Sequence, residues 1–255
     1  MNRGVYPVLT GSLAQEHRIQ VLSNNMANVN SYGFKRVEPV FASVLGSQGL
    51  FQSGSSGGPT FQPFVTGPQG VAERVFVQTI ELNTNFSGGQ LRQTKVPLDL
   101  AIQGDGMFEI MTPQGPLYTR NGSFHMDEQR RLLNATGHPV MGDKGEIKLK
   151  PGEVRVVSGG TIQVDGEAVA RITVVEFPKD KPLQSVGQGL FVGENGKPVK
   201  DPNVLSGYLE ESNVNPFTEM VNLIEVMRSY ESAQKIIQTF DHMAELSIEE
   251  VGRVA

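Results

Sequence analysis

The chain has 255 residues, with 22 lysines and arginines against 27 aspartates and glutamates and a net charge of −5 at pH 7. This length is enough for one or two domains with a sizeable core. The acidic balance argues against a nucleic-acid partner. The absence of cysteine excludes disulfides and thiolate metal sites.

Neither a membrane span nor a conventional signal peptide is visible in the sequence. No apolar run approaches the roughly 18 residues that a membrane span requires, so we expect no direct membrane insertion. The first 30 residues lack both a continuous apolar segment and a small-residue cleavage site. We therefore expect that the chain either stays inside the cell or leaves by a route that reads no such peptide.

The N-terminal segment carries a narrow apolar stripe with helical spacing. The stripe consists of Val5, Val8, Ile19, Leu22, Met26 and Val29. Polar Ser12 and Gln15 occupy two positions of the same series, and Leu9 and Leu13 widen the stripe. Apolar residues that alternate three and four apart lie on one face of a helix. We predict a helix over residues 6–29.

The following segment differs in composition. Residues 34–45 mix apolar and polar residues, and we expect them to be extended or irregular. Residues 46–70 are rich in Gly, Ser, Gln and Pro and cannot supply much core. We predict a flexible connector over residues 37–70, with its phenylalanines lying in part against another surface; these are Phe51, Phe61 and Phe64.

From residue 71 the pattern changes to short strand-like pieces. These cover residues 71–81, 98–102, 107–111, 117–120, 155–157, 161–164 and 170–177. Between them lie dipeptides that tolerate positive φ and close tight hairpins, namely Asp105-Gly106, Asn121-Gly122, Asp165-Gly166 and Asn195-Gly196. This pattern predicts a mainly antiparallel β domain over residues 71–208.

The C-terminal segment carries a second apolar stripe, interrupted only by Gln234. The stripe consists of Met220, Leu223, Met227, Tyr230, Ile237, Phe240 and Ala244. No Gly or Pro occurs from Phe217 to Val251, so we predict a helix of about 30 residues and roughly 45 Å. A helix this long with so narrow a stripe is unstable alone. We predict that it pairs with the N-terminal helix in a coiled-coil-like module. The alternative is that both helices dock on the chain's own central sheet.

No catalytic or metal-binding pattern stands out, and we expect no cofactor and no enzymatic activity. The four histidines are scattered without metal-ligand spacing, and Gly104-Asp105-Gly106 lacks the rest of a phosphate loop. Asp99 and Asp105 form a carboxylate pair that a glycoside-cleaving enzyme could use. A secreted β-domain cell-wall hydrolase is therefore one alternative, and a chaperone or adhesin that grips with its coiled coil is another.

The asparagines near the end of the first helix allow two interpretations. Asn24 and Asn28 are four residues apart and share a helix face, and Asn25 lies close to it. Asn is a mediocre helix former, because its amide competes for backbone groups. The amides either cap the helix and form the turn after it, or they lock neighbouring subunits in register.

Three parts of the sequence together resemble the bacterial flagellar rod and hook proteins. The first is LSNNMANVNSYGFKR at residues 22–36. The second is PLDLAIQGDGMF at residues 97–108 with YTRNGSF at residues 118–124. The third is SGYLEESNVN at residues 206–215 with MVNLIEVMRSYE at residues 220–231. They occur in the family's order and cover both ends and the middle of the chain.

The resemblance implies a structural subunit of the flagellar basal-body rod, a helical tube that transmits torque from the motor to the hook. It implies an α+β fold in which residues 1–36 and 209–255 form an inner helical layer, D0, and residues 71–208 form an outer β domain, D1. Its implied partners are copies of itself, neighbouring rod proteins and the flagellar type III export apparatus, which would deliver the chain to the periplasmic rod without a cleaved peptide. GHPVMG at residues 137–142 is most similar to proximal-rod members, with distal-rod members as the alternative.

From the stripes and the resemblance we predict a subunit interface. It consists of Leu22, Asn24, Asn25, Met26, Asn28, Val29, Phe34, Met220, Leu223, Met227, Tyr230, Ile237 and Phe240. Asn24, Asn25 and Asn28 are predicted to make axial contacts, and Phe34 to anchor the chain where it leaves the helix. We also expect frayed chain ends in the isolated subunit, because neighbours are needed to cover the stripes.

Overall fold

The computed structural model describes residues 5–45, 75–178 and 183–252. Most of the predicted connector, residues 46–70, with its three phenylalanines, lies outside the described residues. The chain divides into two compact units. The helical unit comprises Met1–Gln20, Pro39–Glu81 and Ile224–Ala255, and the β unit comprises Val21–Glu38 and Leu82–Leu223.

Two α-helices lie at the ends of the chain, as predicted. Helix α1 spans Val5–Ala27 and helix α2 spans Pro216–Gly252, each within two residues of its predicted bounds. With 37 residues, α2 is about 55 Å long. The division between the units falls inside both helices. Coiled-coil pairing along their length stays a prediction.

The strands between the helices are short. Their bounds are β1 Val37–Leu45, β2 Val75–Thr84, β3 Leu91–Gln93, β4 Leu100–Ile102, β5 Met107–Thr112, β6 Gly115–Thr119, β7 Phe124–Met126, β8 Leu132–Asn134, β9 Met141–Gly142, β10 Gly145–Glu146, β11 Val154–Val157, β12 Thr161–Val164, β13 Glu167–Arg171, β14 Val174–Glu176, β15 Gln184–Gly187, β16 Leu190–Val192, β17 Lys197–Pro198, β18 Val204–Ser206 and β19 Tyr208–Glu210. The α+β class with a β-rich middle is therefore confirmed.

Strand β1 lies where the sequence predicts the start of a flexible connector. It pairs with β2 in a two-stranded sheet. Pro39 lacks a backbone N–H, and such a ribbon tolerates proline because each of its strands has an unpaired edge. The first nine residues of the predicted connector are thus a strand. The predicted domain boundaries at residues 36, 70 and 208 stay predictions.

The β unit is organised around a six-stranded sheet of order β15-β16-β6-β5-β14-β17. A three-stranded sheet, β11-β12-β13, and several two-stranded pairs accompany it. The hydrogen-bonded strand pairs of the β unit, from β3 to β19, are antiparallel, as predicted. The last two strands, β18 and β19, return to pair with β4 and β3 near the start of the unit. The last two strands of the β unit therefore lie beside two of its first strands, β3 and β4.

Three of the four predicted hairpin turns are wrong. Asp165-Gly166 closes the β12–β13 hairpin with φ of 51° and 86°, as a tight two-residue turn requires. The other three dipeptides connect β4 to β5, β6 to β7 and β16 to β17, and none of these strand pairs is hydrogen-bonded. Such a dipeptide permits a sharp change of direction, but it does not require the flanking strands to pair.

One apolar cluster forms the core of the β unit. Phe108 and Phe124 contact edge to face with centroids 5.2 Å apart. The buried members of the cluster are Leu100, Ile102, Phe108, Ile110, Phe124, Leu132, Val140, Ile147, Leu149, Ile162, Val164, Ile172, Val174, Leu190 and Val204. Residues from β4 to β18 thus share one core.

We expect Gly122→Ala to destabilise the β unit by about 3 kcal/mol, because it overpacks a rigid contact. A Cβ at this position would lie 1.7 Å from the backbone oxygen of Leu100. Gly88→Ala is the matched control, because its Cβ would meet nothing within 4 Å, and we expect a change within about 0.5 kcal/mol. Urea unfolding of the purified proteins measures both, and equal effects would contradict the close approach.

Candidate functional site: a polar clamp at the helix ends

The β unit holds the end of α1 and the start of α2 through a set of polar side chains that we call the polar clamp. Its members come from three distant parts of the sequence: Asn25, Lys35, Arg36, Arg120, Glu210, Asn213 and Glu219. Glu210 lies in strand β19, and Asn213 lies in the loop that follows this strand. Glu219 lies in the first turn of α2.

Glu210 is the centre of the clamp. The Lys35 ammonium donates to Glu210 Oε1 at 2.5 Å and to the Ser87 carbonyl at 2.7 Å. The Gly89 N–H donates to the same carboxylate oxygen at 2.9 Å. On the other side, Arg120 Nε lies 3.5 Å from Glu210 Oε2. Lys35 and Glu210 are each only 2% exposed and Arg120 is 5% exposed, so these charges interact away from solvent.

Burial disfavours the charged forms of Lys35 and Arg120, and the negative charge of Glu210 favours them. Burial lowers the pKa of Lys35, whereas the charge and hydrogen bond of Glu210 raise it and the charge of Arg120 lowers it further. Burial likewise lowers the pKa of Arg120, and the charges of Glu210 and Asp105 raise it. Because a buried charge is costly without a partner, one carboxylate supports two cations here.

Asn213 fixes the backbone that follows α1. Its side-chain oxygen accepts from the Arg36 N–H at 2.7 Å, and its own N–H donates to the Phe34 carbonyl at 3.4 Å. Its amide nitrogen donates to the carbonyls of Asn85 at 2.8 Å and Ser87 at 3.1 Å. One side chain thus joins the segment after α1 to the segment before β3.

Asn25 and Glu219 connect the two helices. Asn25 is fully buried, and its amide nitrogen donates to the Val37 carbonyl at 2.9 Å and to Glu219 at 3.3 Å. Its oxygen accepts from the Val37 N–H at 3.0 Å. Glu219 also accepts from Arg36 Nε at 2.6 Å. The last turn of α1 and the first turn of α2 are therefore held by the adjacent residues Val37 and Arg36, and by the direct hydrogen bond between Asn25 and Glu219.

Both helix ends next to the clamp are capped by asparagines. Asn215 accepts from the N–H groups of Phe217 at 3.0 Å and Thr218 at 3.3 Å, with Pro216 in the first helical position. The Asn28 amide donates to the Asn24 carbonyl at 2.9 Å, and its oxygen accepts from the Ser31 hydroxyl. Asn28 therefore has the capping and turn-forming role that was one of the two interpretations.

The predicted interface residues are distributed over different environments. Leu22 and Asn25 are buried, and Asn24, Met220 and Met227 are exposed. The others are half-buried, namely Met26, Asn28, Val29, Phe34, Leu223, Tyr230, Ile237 and Phe240. The Asn25 amide is bonded within the chain. The subunit interface stays a prediction.

The sheltered stripe of α2 differs from the predicted one. A series of buried and half-buried residues, spaced alternately four and three apart, forms this stripe: Glu219, Leu223, Val226, Tyr230, Ala233, Ile237 and Phe240. Met220 and Met227, placed in the stripe by sequence, lie outside it at 49% and 45% exposed. In α1, Leu9 and Leu13 are also exposed. Each helix therefore carries apolar side chains on more than one face.

The two aspartates that a glycoside-cleaving enzyme would use lie in different environments. Asp99 is buried, and its backbone pairs with Ser123 and Gly207, whereas Asp105 is exposed in the turn before β5. Within residues 5–45, 75–178 and 183–252, no group of three His, Cys, Asp or Glu side chains could hold a metal ion. In the same ranges, no helix is long and apolar enough to cross a membrane.

Comparison with known proteins identifies the family. Residues 205–249 match the family model described as flagellar basal body rod FlgEFG protein C-terminal. Residues 101–176 match the model described as flagellar hook protein FlgE/F/G D1 domain. The chain is 31% identical over 252 residues to the flagellar basal-body rod protein FlgG of Buchnera aphidicola subsp. Schizaphis graminum, an alignment that covers 92% of this chain and 94% of that protein. The chain belongs to the flagellar basal-body rod protein family.

Rod proteins of both names are among its relatives. The flagellar basal-body rod protein FlgF of Mesorhizobium japonicum is 29% identical over 259 residues, which cover 99% of each chain. The FlgF of Caulobacter vibrioides is 28% identical over 260 residues, which cover 100% of each chain. The predicted flagellar rod resemblance is confirmed.

Sequence reasoning singled out Asn25 but missed the other members of the clamp. Of these, Lys35, Arg36, Arg120, Glu210 and Asn213 lie inside the segments that carry the resemblance to the rod family. The signal that could have found them was the presence of charged and amide side chains within those segments. Their partners are far apart in sequence, so spacing alone could not pair them.

Proposed function

We propose that this chain is a structural subunit of the flagellar basal-body rod, which polymerises through α1 and α2 into a helical tube and transmits torque from the motor to the hook. One observation carries the proposal. Helix α2 exposes large apolar side chains along its whole length: Phe217, Met220, Val221, Ile224, Met227, Ile236, Met243, Leu246 and Ile248. A soluble subunit that works alone rarely exposes so much apolar surface on one helix.

In an assembled rod, neighbouring subunits bury the exposed apolar side chains of α2. Burying each of these side chains contributes roughly 1.5–3 kcal/mol before entropy costs. A contact that joins different surfaces of identical subunits and does not close into a ring generates an open helical array. The exposed residues of α2, together with Leu9 and Leu13 of α1, are the surfaces that we assign to neighbouring copies and neighbouring rod proteins.

The structure leads us to revise the proposed axial contacts. Asn24 is exposed, and it remains our choice for a contact between subunits. Asn25 instead positions the end of α1, because its amide bonds Val37 and Glu219 within the chain. Asn28 caps the helix end and presents its remaining surface to a neighbour.

We place the chain in the proximal rod. Relatives named FlgF align with it over 99–100% of both chains, whereas the Buchnera FlgG aligns over 92% of this chain. The distal rod is the alternative position within the same family. Cryo-EM of isolated basal bodies carrying a tagged copy distinguishes the two positions, and density in the distal rod alone would contradict the assignment.

Delivery to the rod follows from this position. A periplasmic rod subunit has to cross the inner membrane, and we assign its export to the flagellar type III apparatus without a cleaved peptide. The cell-wall hydrolase alternative gains no support, because the relatives compared above are named as rod proteins. We propose no catalytic role for the chain.

Hydrogen exchange on the dilute, purified subunit tests whether assembly orders the helices. We expect rapid exchange in residues 224–252 and slow exchange in the core strands β5, β8 and β14, because low burial leaves helical hydrogen bonds open to local unfolding. In assembled rods the same helical residues should become protected. Protection of all of residues 224–252 in the dilute monomer would contradict the proposal.

A further inference from the structure

The segment after α1 is held by residues near the other end of the chain. Glu210 accepts from the Gly33 N–H through its backbone carbonyl at 2.7 Å and from Lys35 through its carboxylate at 2.5 Å. Asn213 and Glu219 accept from the Arg36 N–H at 2.7 Å and from Arg36 Nε at 2.6 Å. Docking of residues 33–36 therefore depends on residues 210–219.

Within this arrangement one anion lies between two buried cations. Lys35 and Arg120 contact opposite oxygens of the Glu210 carboxylate. Both are almost fully buried. If Glu210 were absent, two like charges would remain in the same low-dielectric region, where their repulsion is much stronger than in water. Glu210 therefore offsets the charges of both buried cations.

We propose that Glu210 is a latch: the segment after α1 docks on the β unit only when β19 brings this carboxylate between Lys35 and Arg120. Lys35 and Glu210 are 175 residues apart. In a chain that emerges N-terminus first, both cations appear well before the group that neutralises them. The β core can form first, and the clamp closes last, which joins the ends of both helices to the β unit in one step.

This inference concerns the order of folding and does not depend on the proposed place of the chain in the rod. The backbone geometry at Gly33 supports the same order of folding. Its φ is +68°, and a Cβ there would lie 2.4 Å from the backbone of Arg120. The backbone of the docking segment therefore packs directly against the backbone of Arg120, so this part of the β unit has to be in place before the segment can dock.

Pulse-labelling hydrogen exchange during refolding of the full-length protein tests the order. The core reporters are the amides of Leu132 and Val140, bonded within the β unit to Ile147 and Leu132. The clamp reporters are the amides of Gly33, Arg36 and Gly89. We expect the clamp amides to gain protection together and at least fivefold more slowly than the core amides. Protection at the same rate, or earlier, would overturn the latch.

A double-mutant cycle tests the charge balance at equilibrium. We expect Glu210→Gln to lower the folding equilibrium constant at least 100-fold, because it removes the carboxylate that contacts both buried cations. Adding Lys35→Met removes the repulsion and should recover at least tenfold of that loss. Glu153→Gln is the control, since its pair with Arg155 is exposed, at 69% and 72%, and it should change the constant less than threefold.

The cycle remains informative if the single variant does not fold. A folded Lys35→Met/Glu210→Gln protein beside an unfolded Glu210→Gln protein would support the latch strongly. A double variant that is no more stable than Glu210→Gln, or that is equally unfolded, would overturn it, because removing the repulsion would then have restored nothing.

Discussion

Replacing Asn25 with aspartate is expected to lower the stability of the β unit by about 3–5 kcal/mol at neutral pH, the cost of an uncompensated buried charge. The substitution keeps the shape of the side chain but removes both donors of the amide. The new carboxylate would face the Val37 carbonyl at 2.9 Å and the Glu219 carboxylate at 3.3 Å. Urea unfolding of the purified protein measures the loss.

The pH dependence of this variant provides an independent check. A carboxylate held against another carboxylate has a raised pKa. The folded variant therefore binds a proton more readily than the unfolded chain does, and its deficit relative to wild type should shrink as pH falls toward about 4. A deficit that stays constant with pH would indicate that lost packing, and not charge, is the cause.

Asn24→Asp is the matched control for this experiment, because it makes the same chemical change one residue earlier on an exposed position. We expect its unfolding free energy to stay within about 0.5 kcal/mol of wild type. In cells, Asn24→Asp separates the two roles assigned to the asparagines. A stable Asn24→Asp protein that fails to enter the rod would support Asn24 as an axial contact, and normal incorporation would remove it from the interface.

Met220→Asp and Met227→Asp are expected to abolish incorporation into the rod while leaving the β unit as stable as wild type. Both side chains are about half exposed, at 49% and 45%. A charge there costs the isolated subunit little, but in an assembled apolar contact it would be buried without a partner. The measurements are the amount of variant in purified basal bodies and urea unfolding of the isolated protein.

The choice of methionines makes this test sharper than a change at Leu223. Leu223 is half-buried in the β unit, so Leu223→Asp would alter both folding and assembly. Ser229→Asp supplies the control, since it adds the same charge at an exposed polar position of α2, and it should incorporate normally. Wild-type levels of both methionine variants in the rod would contradict the assignment of this helix surface to subunit contacts.

The sequence determined the elements that depend on neighbours along the chain. Two apolar stripes specified the two helices, and the absence of Gly and Pro from Phe217 to Val251 specified the length of the second. The predicted bounds lie within two residues of those of α1 and α2. Short apolar runs between turn residues specified the position of strands such as β5 and β12. The motifs at both ends and in the middle specified the family. All these features are local, and the sequence states them directly.

Only the tertiary structure decided which of these elements meet. A dipeptide such as Asp105-Gly106 permits a turn, but the hydrogen bonds of β4 and β5 go to other strands. Asn25 reads in the sequence as one asparagine among several, and its burial depends on Val37 and Glu219. Likewise, nothing local distinguishes Lys35 from a surface lysine. Its partner is 175 residues away, and the pairing arises because β18 and β19 return to the strands where the β unit begins.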